Sequence, residues 1–103
     1  MSTKLPALDY DEEALAAFCR RWGILELAVF GSAARNEMRP DSDIDFMMKL
    51  DRSFHTDLFD VVTMKEELEA MFRRPVDLVT PSVMKNPYRK RSIEKDLTVI
   101  FAA

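Results

Sequence analysis

The stretch VFGSAARNEMRPDSDIDFMM, residues 29–48, decides the fold because it joins two apolar runs through a polar connection. The run before the connection, ILELAVF at 24–30, is bounded by the two glycines of the chain and has the composition of a buried strand. The run after it, IDFMMKL at 44–50, has the same character and follows a Pro-Asp-Ser sequence that is typical of a turn. We therefore expect a strand, a connection and a second strand.

The sequence on either side of these strands predicts alternating helices and strands. Ahead of them, apolar residues at helical spacing predict a helix that is capped by Asp9 or Asp11 and ends near Trp22. The other expected elements, in chain order, are an amphipathic helix between residues 55 and 74, a strand at 76–80, a short helix at 88–96 and a strand at 97–101. This alternation favours the α/β class, with a mixed β-sheet flanked by helices in a single domain over residues 1–103.

Composition and charge favour one soluble cytoplasmic domain. With 48% hydrophobic and 32% charged residues among 103, the chain has the make-up of a globular protein and not of a disordered one. No apolar stretch approaches the roughly 20 residues that span a bilayer, and the start of the chain has no signal-peptide pattern. Cys19 is the only cysteine, which excludes an internal disulfide and predicts a core position for it.

Two further features are interpreted without a functional role. A net charge of −3 does not favour nucleic acid as a partner. The late basic residues are typical of a solvated helix face, although a local contact with a partner or RNA stays open, and they are Lys85, Arg89, Lys90, Arg91 and Lys95. His55, the only histidine, lies in a polar segment, which favours a surface position.

Gly31 and Ser32 stand directly after the first expected strand and suggest a phosphate-binding turn. Glycine lets the backbone approach a ligand closely, and the amide groups at the start of a helical turn favour anions. The hydroxyl of Ser32 adds a donor, and the guanidinium of Arg35 supplies a permanent positive charge one turn further on. For the Gly-Ser pair alone, a plain turn is the alternative.

Asp43 and Asp45 flank Ile44 at the start of the second expected strand. Because side chains alternate along a strand, both carboxylates should point to one face and Ile44 to the other. The two α-carbons should lie about 6.6 Å apart, so both carboxylates can reach one small cation. Hard oxygen ligands of this kind suit Mg²⁺ or Mn²⁺. Two solvated aspartates at the start of an exposed strand are the alternative.

Asp77 adds a third carboxylate in the apolar strand VDLVT, residues 76–80. A lone acidic side chain in such a strand is costly to bury unless it is paired or metal-bound. If this strand is a neighbour of the second strand, the carboxylates of Asp43, Asp45 and Asp77 meet at one place. Such a triad can hold one or two divalent ions and leave one carboxylate to orient or deprotonate an attacking hydroxyl.

Taken together, these residues resemble a known family. Gly31-Ser32, ten intervening residues and Asp43-Ile44-Asp45 are similar to the Gly-Ser-x10-Asp-x-Asp signature of the DNA polymerase β-like nucleotidyltransferases. The stretch at 29–48 looks like the minimal nucleotidyltransferases, the MNT-type proteins, and Asp77 matches their third carboxylate. The ending NPYRKRSIEKDLTVIF is similar to the closing helix and strand of that family. Asn36 departs from the glycine that is common there, but asparagine tolerates positive φ.

The resemblance implies a metal-dependent nucleotidyltransferase. Gly31 and Ser32 would hold the triphosphate of ATP or another nucleoside triphosphate, and Arg35 would add a phosphate contact. Asp43 and Asp45 would bind Mg²⁺, or Mn²⁺ in its place. Asp77 would complete a second metal position and help to activate the acceptor hydroxyl. Positioning and charge neutralisation supply most of the catalysis in such transfers, so no catalytic histidine is needed.

The resemblance also implies a partner. Larger nucleotidyltransferases carry an acceptor-binding domain, whereas this chain ends soon after its last expected strand. MNT-type proteins are frequently antitoxins of a HEPN-type ribonuclease toxin, which implies transfer of AMP to a toxin tyrosine within a complex of the two proteins. Two alternatives stay open: a non-catalytic binding module that neutralises its partner by complex formation, and nucleotidyl transfer to a small-molecule hydroxyl.

Overall fold

Two strands of seven residues form the centre of the sheet, β1 (Ile24–Phe30) and β2 (Ile44–Leu50), and they pair antiparallel. Both have the bounds that the sequence predicts. The computed structural model describes residues 8–103 apart from 36, 38, 40, 52, 54 and 55. Among the residues it describes, the side chain of Val83 is left out. The expectations for Asn36 and His55 therefore concern positions outside the described residues.

The two outer strands complete a four-stranded sheet in the order β3-β2-β1-β4. β3 (Val76–Val79) runs parallel to β2, and β4 (Thr98–Ala102) runs antiparallel to β1. The sheet is therefore mixed, as predicted. β3 ends one residue early because Thr80 leads into a 3₁₀ helix that starts at a proline. β4 begins one residue late because Leu97 caps the preceding helix and is not part of the strand.

Three α-helices are present in the described part of the chain, and each begins at a polar capping residue. Their bounds are α1 (Glu12–Arg21), α2 (Leu58–Phe72) and α3 (Pro87–Asp96), with a 3₁₀ helix at Pro81–Lys85 between β3 and α3. Asp11 accepts hydrogen bonds from the backbone amides of Glu13 and Ala14, which satisfies free amides of α1. The sequence predicts α1 and α3 to within a residue, but it does not predict the 3₁₀ helix.

The sheet has two differently covered faces. Helices α1 and α2 cover one face over the main core, whose fully buried side chains include Leu27, Ile44, Phe46 and Leu68. Helix α3 and the 3₁₀ helix cover part of the other face, where a smaller apolar cluster forms. The second face therefore stays open beside α3, and open space there is a precondition for a site.

Helix α2 is less buried than its sequence pattern predicts. The apolar stripe of α2 predicts buried positions for Leu58 and Val62, but their exposed fractions are 77% and 46%. Phe59 is 83% exposed beside them. The interpretation of the first turn as core was wrong, whereas Met64, Leu68 and Phe72 further along the helix are buried. Within the described residues, no helix combines the length and apolar character that crossing a membrane requires.

Cys19 should resist thiol reagents in the folded protein. Its side chain has no solvent exposure in α1, and burial raises the pKa of the thiol to about 12. The thiolate is the reactive form, so it is scarce at neutral pH even where reagent can reach it. We expect labelling by a disulfide reagent at pH 7 only at the rate at which the protein unfolds, with full labelling in denaturant. Fast labelling under native conditions would contradict this core position.

Candidate active site

Asp45 lies at the start of β2, just after the connection that joins β1 to β2. In the antiparallel register Asp45 lies opposite Phe30, the last residue of β1. Asp45 is half-buried, Asp43 is exposed, and Ile44 between them is completely buried in the main core. The two aspartates therefore lie on the face of β2 away from the main core, as the alternation predicts.

Asp77 lies directly beside Asp45 on the neighbouring strand. The parallel register of β2 and β3 pairs Asp45 with Asp77. The expectation that these strands are neighbours is therefore correct. The reasoning from the cost of burial was wrong, because the side chain of Asp77 is exposed. β3 is an edge strand with a neighbouring strand on one side only, so its side chains meet water more easily than those at the middle of the sheet.

The charges around Asp45 shift the pKa of its carboxyl group in opposite directions. Burial raises the pKa of the Asp45 carboxyl group, and repulsion from Asp77 and then from Asp43 raises it further. The positive charges of Arg89 and Arg35 partly oppose this shift. Two further carboxylates and two guanidinium groups therefore act on the carboxylate of Asp45.

Gly31 makes the turn after β1 and leaves room for Asp45. Its φ of +74° lies in the left-handed region, which residues with a side chain rarely adopt. A Cβ atom at this position would lie 2.5 Å from Oδ2 of Asp45. Glycine is thus required twice, by the backbone conformation and by the nearby carboxylate. The sequence suggests that the backbone at Gly31 approaches a ligand closely. In the structure it approaches Asp45, a residue of the site.

The residues after Gly31 form a turn and not a regular helix. The amide of Arg35 donates to the carbonyl of Gly31 at 3.2 Å, and the amide of Glu37 donates to the carbonyl of Ser32 at 2.9 Å. Ser32 itself is half-buried. The turn therefore places Ser32 directly after the strand end that lies opposite Asp45.

Arg35 is held by two carboxylates. Its Nη1 atom lies 2.6 Å from Oδ2 of Asp96 at the end of α3, and its Nε atom lies 3.1 Å from Oε2 of Glu37. The hydrogen bond to Asp96, followed by that to Glu37, raises the pKa of the guanidinium, which stays charged. Arg35 thereby ties the turn to α3, a role that the sequence does not predict because the two partners are 61 positions apart.

The donor set around Asp45 fits a hard divalent cation in its chemistry. Carboxylate oxygens are the ligands that Mg²⁺ and Mn²⁺ prefer, and a cation would relieve the repulsion among the three aspartates. Within the described residues, no three His, Cys, Asp or Glu side chains are already placed to hold one metal ion. The three carboxylates would therefore have to draw together to share an ion, and the exposed side chains of Asp43 and Asp77 have room to move.

Arg89 and Arg74 are the residues near the site that the sequence interpretation missed. Arg89 belongs to the basic cluster that was interpreted as a solvated helix face, yet its charge acts on Asp45. A signal for it exists, since it precedes the apolar Ile93 by four positions and so shares its side of α3. Nothing in the sequence indicates the role of Arg74, which depends on a contact between distant loops.

Arg74 fixes the segment that leads into β2. Its Nη1 atom donates to the carbonyl oxygens of Arg39, at 2.8 Å, and of Ser42, at 3.3 Å. The amide of Ile44 also donates to the carbonyl of Pro75 at 3.0 Å. These bonds connect the start of β3 with the residues just before Asp43. Arg74 is therefore a positioning residue for Asp43.

Substitution of Arg74 should loosen this connection. We expect Arg74→Met to lower the free energy of unfolding by about 1–3 kcal/mol, because two backbone carbonyl groups lose a charged donor. The activity that the family resemblance implies should fall through kcat more than through KM, since Asp43 would no longer be held in place. Thermal unfolding and steady-state kinetics measure the two effects, with the exposed neighbour change Arg73→Gln as control. If the two variants have the same melting temperature and the same kcat and KM, Arg74 has no role in positioning Asp43.

The sheet and the site together define a class of enzyme. The fold has a strand, a glycine turn, one aspartate just before the next strand and one on it, and a third aspartate on the parallel neighbour, which is the arrangement that the family resemblance predicts. A model described as the nucleotidyltransferase domain matches residues 11–100, and the chain belongs to this family. The predicted fold and enzyme class are thereby confirmed.

Individual proteins agree with this assignment. A candidate protein adenylyltransferase of Methanocaldococcus jannaschii is 36% identical over 80 residues, which cover 78% of this chain and 80% of that protein. A solved structure of a candidate minimal nucleotidyltransferase is 30% identical, covers 84% of this chain and 86% of its own, and has a TM-score of 0.68. A crystal structure of a toxin-antitoxin with AMP-PNP also has a TM-score of 0.68, over 90% of this chain and 74% of its own. At 15% identity, that last likeness concerns the fold alone.

Proposed function

We propose that this protein transfers AMP from ATP to a hydroxyl group of a partner protein. The observation that carries the proposal is the register of the sheet, which puts Asp45 beside Asp77 and opposite the strand end that leads into Gly31. A turn suited to phosphate and a set of carboxylates thereby meet at one place. The proposal is further supported by the relative in Methanocaldococcus jannaschii, whose name is that of a candidate protein adenylyltransferase.

Each residue of the site has a proposed part in the reaction. The backbone at Gly31 and the hydroxyl of Ser32 bind the triphosphate, and Arg35 adds positive charge from the same turn. Asp43, Asp45 and Asp77 form the metal-binding set. Bound there, Mg²⁺ or Mn²⁺ would supply the positive charge that neutralises the charge developing on pyrophosphate as it leaves.

The transfer itself exchanges one phosphorus–oxygen bond for another. The acceptor oxygen forms a bond to the α-phosphorus of ATP, while the bond from that phosphorus to the bridging oxygen of the β-phosphate breaks. Pyrophosphate carries away the electron pair of the broken bond. The proton of the acceptor hydroxyl passes to the carboxylate of Asp77, which is exposed and so can meet a group from outside.

The proposed acceptor is a tyrosine of a HEPN-type toxin, with this protein as its antitoxin in the cytoplasm. Support comes from the fold it shares with a toxin-antitoxin that was crystallised with AMP-PNP, an analogue of ATP. A tyrosine hydroxyl on a flexible protein segment can enter a site that is open at the edge of the sheet. Attachment of a bulky anionic group to such a residue would silence a ribonuclease by charge and by steric exclusion.

Complex formation without chemistry is the second candidate function. It is favoured by the exposed apolar side chains at the start of α2, Leu58 and Phe59, which a partner protein could cover. The absence of a preformed three-residue metal cluster among the described residues is also consistent with it. In this case the protein would neutralise a partner in a stoichiometric complex, and nucleotide turnover would be unnecessary.

One experiment separates the two candidates. The protein is incubated with ATP labelled at the α-phosphate and Mg²⁺, with and without the protein that co-purifies with it from native cells. We expect label on the partner's tyrosine with the wild type and none with Asp43→Asn/Asp45→Asn, although both form the complex. Full neutralisation of the partner by the double variant would favour the binding function. Transfer to small hydroxyl compounds without any partner would favour the small-molecule alternative.

A further inference from the structure

Helix α3 lies against the site through a single apolar anchor. Ile93 is the one buried side chain of α3 in the described residues, and it belongs to the smaller apolar cluster with Phe30 and Met47. Phe30 lies opposite Asp45 in the register of β1 and β2. Met47 follows Asp45 by two positions and so shares its face of the sheet. The anchor of α3 is thus adjacent to the carboxylates.

The phase of α3 places two charged residues on the anchored side. Arg89 precedes Ile93 by four positions and Asp96 follows it by three, and such spacings put side chains on one side of a helix. Asp96 bears this out, because its carboxylate lies 2.6 Å from Nη1 of Arg35 in the turn after β1. The same side of α3 that meets the turn at one end therefore presents Arg89 towards the site at the other.

Arg89 differs from Arg35 in how its charge is paired. In the described part of the chain, its guanidinium has no hydrogen bond or ion pair, whereas Arg35 is held by Asp96 and Glu37. Its positive charge attracts the carboxylate of Asp45 and so lowers the pKa of that group, as does the charge of Arg35. The neighbouring Lys90, by contrast, faces Glu94 on the helix itself, at 3.8 Å.

We propose that Arg89 binds the phosphate chain of the nucleotide, opposite the turn at Gly31 and Ser32. Arg89 and Asp96 are seven positions apart on α3, which places their α-carbons about 10 Å apart along the helix. A triphosphate that lies beside Asp45 therefore meets the Arg35 side of α3 at one end and Arg89 at the other. A free guanidinium matches phosphate oxygens in charge and in bidentate geometry. This role deepens the proposed function and rests on it.

Binding of inorganic tripolyphosphate in the presence of Mg²⁺ tests the role without requiring turnover. Isothermal titration compares the wild type with Arg89→Gln and with Arg91→Gln. Arg91 is equally exposed, and it lies about 200° further round the helix. We expect Arg89→Gln to weaken tripolyphosphate binding about ten-fold or more, Arg89→Lys to weaken it less, and Arg91→Gln to leave it unchanged. Thermal unfolding of each variant shows whether it is folded.

The outcomes separate this role from the proposed function. Weaker binding of tripolyphosphate by Arg89→Gln alone would support the role of Arg89 even if no AMP transfer were found. Unchanged binding and an unchanged KM for ATP in Arg89→Gln would overturn it, even if the wild type transfers AMP. A change in the pH dependence of unfolding with no change in tripolyphosphate affinity would make Arg89 only a counterion of Asp45, and would equally overturn it.

Discussion

Asp45→Asn is expected to stop nucleotidyl transfer and, without divalent cations, to raise the melting temperature of the protein. The loss of activity should be at least about a hundred-fold, because Asp45 is proposed as a ligand of the cation, and loss of such a ligand would remove several kcal/mol of charge stabilisation in the transition state. The gain in stability follows from the surroundings of the carboxylate, which are half-buried and shared with two other aspartates. Function and stability should therefore change in opposite directions.

The sign of the stability change follows from the pKa of Asp45. Burial, followed by repulsion from Asp77 and Asp43, raises the pKa of this carboxyl group above its value in the unfolded chain. The folded state therefore binds the proton more tightly, and ionisation of Asp45 destabilises the fold at neutral pH. Stability contributed by this group is gained as pH falls through the folded-state pKa. Asparagine has no ionisation, so the variant should lose this pH dependence.

Thermal unfolding at pH 4 to 8 with and without Mg²⁺ measures these effects. Mg²⁺ should raise the melting temperature of the wild type more than that of Asp45→Asn, since a ligand of the folded state stabilises it. Asp41→Asn is the matched control, because Asp41 is exposed before β2 and is not among the charges that act on Asp45. A melting temperature of Asp45→Asn that is lower than that of the wild type at pH 7 would contradict the electrostatic account.

Of the two glycines in the chain, Gly31 is expected to lose more stability and activity on substitution by alanine. The left-handed φ of +74° disfavours alanine, and the new Cβ atom would lie 2.5 Å from Oδ2 of Asp45. We expect a loss of about 1–3 kcal/mol in the free energy of unfolding. Transfer activity should also be lost, because Asp45 must move to admit the methyl group. Chemical denaturation and activity assays measure the two losses.

A second glycine and a double mutant separate the two causes. Gly23 has a similar φ of +67°, so Gly23→Ala reports the conformational cost alone, about 1–2 kcal/mol. The excess for Gly31→Ala should disappear in an Asp45→Ala background, where the carboxylate is absent. If Gly31→Ala costs as much with Asp45→Ala as without it, the close approach of turn and carboxylate has no energetic consequence.

The strands could be predicted from sequence because their signals are local. β1 and β2 are short apolar runs with a glycine or a turn at each boundary, and both were predicted with their observed bounds. The exposure of Leu58 could not be predicted, because an apolar stripe does not indicate which turns of α2 pack on the rest of the fold. The 3₁₀ helix begins at Pro81, and a proline at this position is equally consistent with the end of a strand and with the start of a turn.

The candidate site divides in the same way. Gly31, Asp43 and Asp45 lie in one stretch of sequence with a characteristic spacing, so their proximity in the fold could be predicted. The exposure of Asp77 could not, because sequence does not indicate which strand forms the edge of the sheet. The attachment of Arg35 to Asp96 joins residues 61 positions apart, and a single sequence contains no signal for such a pair.

The fate of the two ends of ATP tests the central claim most directly. The protein and its native partner are incubated with Mg²⁺ and ATP that is labelled at the α-phosphate in one reaction and at the γ-phosphate in another. A metal-dependent nucleotidyltransferase should place the α-label on the partner and release the γ-label as pyrophosphate, and Asp43→Asn, Asp45→Asn and Asp77→Asn should each prevent both. Appearance of the γ-label on the partner, or equal transfer by the aspartate variants, would contradict the account.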